Sequence, residues 1–75
     1  MGRTYSVRNH IRRHRRQVDD MTQQALADRV DVTRQTIVAI ERGSYDPSVG
    51  LALRLARTFG VPVEELFEIE GDEND

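Results

Sequence analysis

The 75-residue chain contains no cysteine, no tryptophan and no lysine. Without cysteine it forms no disulfide and no zinc site with cysteine ligands. No apolar run approaches the ~18 residues that a membrane-spanning helix needs, and no signal-peptide core is visible. We therefore expect one small cytoplasmic domain with no membrane partner, whose core is marginal unless regular helices or a partner subunit support it.

Residues 21–43, MTQQALADRVDVTRQTIVAIERG, have the pattern of two short helices joined by a tight turn. Thr22 and Thr33 stand where helix N-caps belong, each just before a run of helix-compatible residues. Asp31 lies in the turn between the helices, where Asp adopts the left-handed backbone at modest cost. The positions spaced to face inward on the two helices are Leu26, Ala27, Val30, Ile37 and Ile40. This spacing indicates a helix-turn-helix unit.

Three further helices and an extended segment complete the pattern. The five predicted helices span about 7–18, 23–30, 34–42, 48–58 and 63–66. Residues 67–70, FEIE, alternate apolar and acidic side chains, which is strand periodicity. A helical domain offers such a strand no partner of its own, so two interpretations stay open: an antiparallel contact with a second copy across a twofold axis, or a continuation of the fifth helix. The first makes Leu66, Phe67 and Ile69 the candidate dimer interface.

Charge is segregated along the chain. Residues 1–16 carry six arginines and no acid, whereas residues 64–75 carry seven acids and no base. We predict a flexible N-terminus over residues 1–6, a folded domain over 7–70 and an acidic disordered tail over 71–75. The basic run from Arg8 to Arg16 is either an ordinary solvated face or a source of attraction to nucleic acid. The lysine-free, acid-rich composition resembles that of proteins from salt-loving archaea.

The chain resembles the phage-repressor, or xenobiotic-response-element (XRE), type of helix-turn-helix proteins over most of its length, from about Arg8 to Phe67. The matching elements are Thr22-Gln23, Leu26-Ala27, Val32-Thr33, Arg34-Gln35-Thr36-Ile37, Ile40-Glu41, Gly43, Asp46-Pro47-Ser48, Gly60-Val61-Pro62 and Glu65-Leu66-Phe67. One departure is the turn, where the family usually has Gly and this chain has Asp31. The resemblance implies an all-α, compact five-helix lambda-repressor-like DNA-binding domain with the helix-turn-helix formed by helices 2 and 3.

The resemblance also implies which residues meet double-stranded DNA. In the family, the N-terminal residues of the second helix of the unit read bases in the major groove, where Arg suits guanine and Gln suits adenine. By matching position, the candidate base-reading residues are Thr33, Arg34, Gln35, Thr36 and Ala39. The candidate phosphate-binding residues are Gln23, Arg42, Ser44 and Tyr45. For each of these the alternative is a helix cap or a solvated side chain.

One further position has a structural role in the family, where its Glu pairs with an arginine of the first helix. This position is Glu41 here. Counting four residues on from Ile11 points to Arg15, and counting back from the second helix points to Arg16. We prefer Arg15 as the partner.

These features predict a sequence-specific double-stranded DNA-binding transcriptional regulator, a repressor that binds a palindromic operator as a homodimer. We see no nucleophile–base pair, glycine-rich phosphate loop or inward carboxylate pair, so we expect no enzymatic activity, cofactor, metal or small-molecule effector. Two alternatives stay open. The acidic C-terminus suits an antitoxin of a toxin–antitoxin pair, and the fold also serves protein-interaction modules such as coactivators.

Overall fold

The computed structural model describes residues 5–71, which form five helices and two strands. In chain order these are β1 (Tyr5–Asn9), α1 (Ile11–Gln17), α2 (Gln23–Arg29), α3 (Arg34–Arg42), α4 (Val49–Phe59), α5 (Val63–Leu66) and β2 (Phe67–Gly71). Within this part of the chain, no helix is long and apolar enough to cross a membrane. Parts of the two predicted flexible termini, residues 1–4 and 72–75, lie outside the described residues.

Short-range chemistry sets where α2, α3 and α4 begin and where α3 and α4 end. The hydroxyls of Thr22, Thr33 and Ser48 each accept a hydrogen bond from the backbone N–H three residues further on, at 3.0, 3.3 and 3.1 Å. Such a bond satisfies one of the donors that the first turn of a helix leaves unpaired. Gly43 and Gly60 end α3 and α4 in the left-handed conformation, with φ of 85° and 71°. The boundaries of these elements follow from residues next to them in sequence.

The core is made by apolar side chains from every helix. Its buried members are Ile11, Met21, Leu26, Ala27, Val30, Ile37, Ile40, Leu51, Leu55, Ala56, Phe59 and Leu66. His14 is also buried, with its Nδ1 3.0 Å from the carbonyl oxygen of His10 and its ring centroid 5.7 Å from that of Phe59. All five positions predicted to face inward on the helix-turn-helix are in the core. The turn residue Asp31 has the left-handed backbone expected of it, with φ of 61°.

A two-stranded sheet corrects the all-α prediction, because the fold is mostly helical with β1 and β2 paired. The pairing is antiparallel and places Val7 opposite Ile69 and Arg8 opposite Glu68. The prediction that the first helix begins at Val7 was wrong, since residues 7–9 belong to β1 and α1 begins at Ile11. The strand also begins at Tyr5, inside the segment predicted to be a flexible N-terminus.

The sheet explains the strand periodicity of residues 67–70. Their pairing partner is β1 of the same chain, so the prediction that only a second copy could pair with this segment was wrong. The alternative of a continued fifth helix was also wrong, since α5 ends at Leu66. Leu66 has no exposed surface and its carbonyl accepts a 2.9 Å hydrogen bond from the His10 N–H. It therefore holds the sheet to α1 and is not available to a dimer interface.

Candidate nucleic-acid interface

Residues at the beginning of α3 form an exposed polar surface on the helix-turn-helix. Thr33 caps the helix, and Arg34 and Gln35 are its first two residues, both exposed. Within residues 5–71, the side chains of Arg34 and Gln35 form no hydrogen bond and no ion pair. Two long polar side chains therefore project from the start of a helix whose position the core holds through Ile37 and Ile40.

The other predicted base-reading residues are less exposed or already form side-chain hydrogen bonds within the fold. The hydroxyl oxygens of Thr33 and Thr36 lie 3.1 Å apart, and Thr33 also accepts the Thr36 N–H. Ala39 is half-buried. Val38, which sequence reasoning missed, lies four residues after Arg34 and so shares its face of the helix. That spacing is the signal that would have found it.

A network of polar side chains fixes α3 against α1 and α2. Arg15 Nε donates to Glu41 Oε2 at 2.7 Å and its second terminal nitrogen to Glu41 Oε1 at 3.1 Å. The remaining terminal nitrogen donates to the Met21 carbonyl at 2.8 Å. The side chains of Arg15 and Glu41 are only 11% and 10% exposed. The structure thus brings Arg15, and not Arg16, to Glu41, in a bidentate pair that suits the planar guanidinium.

Gln23 belongs to this network as well as to the predicted phosphate contacts. Its Nε2 donates to Glu41 Oε1 at 3.1 Å, and the side chain is half-buried. Asn9, which sequence reasoning also missed, donates from Nδ2 to the Ile40 carbonyl at 2.8 Å and accepts the Ile11 N–H at 3.2 Å. Gln23 therefore ties α3 to α2, and Asn9 ties α3 to the end of β1.

The segment after α3 holds the last predicted contacts. Arg42 and Tyr45 are exposed. The Ser44 hydroxyl donates to the Ala39 carbonyl at 3.3 Å, in the last turn of α3. Ser44 is exposed too, but its hydroxyl is already hydrogen-bonded, so Arg42 and Tyr45 are the predicted contacts of this segment with long exposed side chains.

An exposed ion pair and a second side-chain contact, made by a histidine, join the strands and the start of α1. Arg8 lies 3.2 Å from Glu70, and His10 Nε2 lies 2.6 Å from Glu68 Oε2. The hydrogen bond from His10, helped by the charges of His10, Arg8 and Arg13, holds the pKa of the Glu68 carboxyl below its ordinary value. Among the described residues no group of three or more His, Asp or Glu could hold a metal ion.

Comparison with known proteins agrees with this architecture. Residues 13–66 match the helix-turn-helix family HTH_3, which is the XRE type, and the chain belongs to this family. An uncharacterized HTH-type transcriptional regulator of Methanocaldococcus jannaschii is 50% identical over 58 residues, covering 77% of this chain and 88% of that protein. Another, of Methanothermobacter thermautotrophicus, is 48% identical over 67 residues, covering 88% and 96%. A third, of Bacillus subtilis, is 45% identical over 49 residues, covering 65% and 74%.

Proposed function

We propose that this chain is a sequence-specific transcriptional regulator that reads double-stranded DNA with the N-terminal half of α3. The family is one of DNA-binding transcription regulators. The observation that carries the finer proposal is the pair Arg34 and Gln35, exposed at the start of a helix that is capped and packed against the core. The start of such a helix is the part that enters the major groove in helix-turn-helix proteins.

The chemistry of these side chains suits base recognition. Arg34 presents two N–H donors to O6 and N7 of guanine, and Gln35 presents a donor and an acceptor to N6 and N7 of adenine. Each such bidentate contact discriminates against a wrong base by roughly 1–3 kcal/mol. Thr33, Thr36 and Ala39 border this surface, and a threonine methyl or an alanine suits a thymine methyl.

Backbone phosphates would be held on either side of α3. Arg42 and Tyr45 are the exposed donors after the helix, with Ser44 beside them, and Gln23 lies at the start of α2. A phosphate contact positions the protein on the duplex without reading its sequence. Because Gln23 and Arg15 both hold Glu41, the phosphate contact and the orientation of α3 are supported by one network.

A homodimer would place two copies of α3 about one helical turn apart, near ~34 Å, on a palindromic operator. The apolar face of the sheet supports this proposal, since Val7, Phe67 and Ile69 line an open groove of about 460 Å³ and Ile69 is 63% exposed. A second copy of the chain would cover such an apolar patch in a self-complementary contact. Occupying promoter DNA in this way would repress transcription.

Selection of bound duplexes from a random pool, at moderate and at molar salt, tests the proposal. We expect enrichment of a palindrome whose half-sites lie about one turn apart. Gln35→Ala should relax the preference at one base position, whereas Gln23→Ala should weaken binding evenly on all sequences. Gln24→Ala, at the adjacent exposed glutamine that bonds only Asp28, is the matched control for Gln23→Ala. A folded protein that enriches no sequence would contradict the proposal.

A further inference from the structure

An open groove of about 700 Å³ lies between α1 and the C-terminal half of α3. Its lining is dominated by arginine. The side chains that matter for its chemistry are Arg12, Arg13, Arg16, Gln23, Val38 and Arg42. Three of the four arginines come from α1, an element that contributes none of the base-reading residues proposed above.

The positive charge of this groove is largely uncompensated. Its acidic residue, Glu41, is already held by Arg15 and Gln23 through both carboxylate oxygens. The charge of Arg13 helps to lower the pKa of Glu68, which does not line the groove. In the described part of the chain, Arg12, Arg16 and Arg42 are exposed and take part in no ion pair. A groove with several unpaired guanidinium groups and one neutralised carboxylate favours an anion with several oxygens.

The groove is also continuous with the proposed recognition surface. Val38 and Arg42 follow Arg34 at intervals of four residues, so they lie on the same face of α3. Arg12 and Arg16 are likewise four residues apart and share one face of α1, beside the buried Arg15. The groove therefore borders the face of α3 that begins at Arg34.

We infer that Arg12 and Arg16 of α1 extend the phosphate contacts proposed for Gln23 and Arg42, which line the same groove, and hold the DNA backbone just outside the half-site read by α3. The inference rests on the proposed function, because it needs the same duplex on α3. It adds α1 to the DNA-binding surface and extends the footprint without adding base specificity. Arginine suits this role because its fork of donors matches two phosphate oxygens.

A charge-matched pair of double variants tests this site in the whole chain. Arg12→Gln with Arg16→Gln removes two charges from the groove, and Arg54→Gln with Arg57→Gln removes two exposed charges from α4, neither of which lines the groove. Affinity for the selected operator is measured against salt concentration, on a duplex that ends at the half-sites and on one extended by about half a turn at each end. Circular dichroism and a thermal melt check that both variants are folded.

We expect the groove variant to lower the slope of log affinity against log salt by about two, since each lost phosphate contact accounts for roughly 0.9. The wild-type protein should bind the extended duplex more tightly whatever the sequence of the extension, and the groove variant should lose this gain. A groove variant that keeps the wild-type slope would overturn the inference, and so would an equal fall in the α4 variant. If the wild-type protein selects no duplex at all, the proposed function fails first and takes this inference with it.

Discussion

At the scale of single residues, the polar side chains around α3 divide into those that are hydrogen-bonded within the fold and those that form no hydrogen bond there. The hydroxyls of Thr36 and Ser44 bond within α3 and its cap, and Gln23 bonds Glu41. Arg34 and Gln35 are exposed, and their side chains have no hydrogen bond to another described residue. All five were predicted as DNA contacts from their positions in the family pattern. Hydrogen bonds seen only in the folded structure, local for Thr36 and Ser44 and between helices for Gln23, distinguish the two groups.

Asp31 is a residue whose backbone conformation limits stability. Its φ of 61° is left-handed, a conformation that costs most L-residues about 1–2 kcal/mol and glycine little. We expect Asp31→Gly to raise the free energy of unfolding by roughly 0.5–1 kcal/mol, and Asp31→Ala to lower it, because alanine lacks the short polar side chain that eases this conformation. Denaturant unfolding of the three proteins measures both changes. A loss of stability in Asp31→Gly would show that the Asp side chain contributes more than its backbone costs.

At the scale of elements, two polar contacts of different burial join distant parts of the chain. The Arg15–Glu41 pair connects α1 to α3 and is almost buried, whereas the Arg8–Glu70 pair connects β1 to β2 with side chains 56% and 55% exposed. A buried pair is costly to break because the remaining charge stays out of water, while an exposed one contributes little. The first pair therefore sets the position of the proposed recognition helix.

A double-mutant cycle on Arg15 and Glu41 measures this contribution. Glu41→Leu alone should lower the free energy of unfolding by about 3–5 kcal/mol, enough to unfold so small a domain, because Arg15 is left buried without its partner. The combination of Arg15→Met and Glu41→Leu should recover most of that loss. Glu70→Gln, in the exposed pair, should cost less than about 1 kcal/mol. Equal losses at the two sites would contradict the difference in burial.

The contact between β2 and the start of α1 predicts a dependence on pH. Because the His10 hydrogen bond lowers the pKa of Glu68 in the folded state, ionised Glu68 stabilises the fold fully above its ordinary pKa of 4.5. This contribution is lost as the pH falls through 4.5 toward the lower folded value. Unfolding measured from neutral pH to pH 3 should therefore show a shallower fall in stability for Glu68→Gln than for wild type. Glu64 is exposed and has no ion pair in residues 5–71, so Glu64→Gln should show the same fall in stability as wild type.

At the scale of the whole molecule, the first and last segments of the described residues, β1 and β2, pair in the sheet. Arg8 lies against Glu70, and His10 against Glu68, so basic and acidic side chains that are far apart in the sequence lie next to one another there. The arginines at positions 12 and 16 stay exposed on α1. A chain of formal net charge −2 can in this way present a locally positive surface.

The apolar face of the sheet leads to a prediction about assembly. Ile69 is 63% exposed beside Val7 and Phe67, so Ile69→Asp should dissociate the proposed dimer while leaving the monomer folded. Leu53→Asp, on α4 at a residue 54% exposed, is the matched control and should remain dimeric. Sedimentation equilibrium with circular dichroism gives both readouts. If Leu53→Asp dissociated the dimer and Ile69→Asp did not, the interface would lie on α4.

The helix-turn-helix was determined by the sequence itself, because its signals act over a few residues. Hydroxyl caps, glycine at the end of a helix and apolar residues one turn apart specify α2, α3 and their turn without reference to the rest of the chain. Even the pairing of Arg15 with Glu41 was predictable, but only through the family pattern. The pairing of β1 with β2 was not predictable, since Arg8 and Glu70 are 62 residues apart in the sequence. The alternation of apolar and acidic residues in 67–70 indicates a strand but does not indicate which segment pairs with it. The burial of Leu66 and the arginine groove between α1 and α3 likewise exist only once distant segments pack together, so only the tertiary structure decided them.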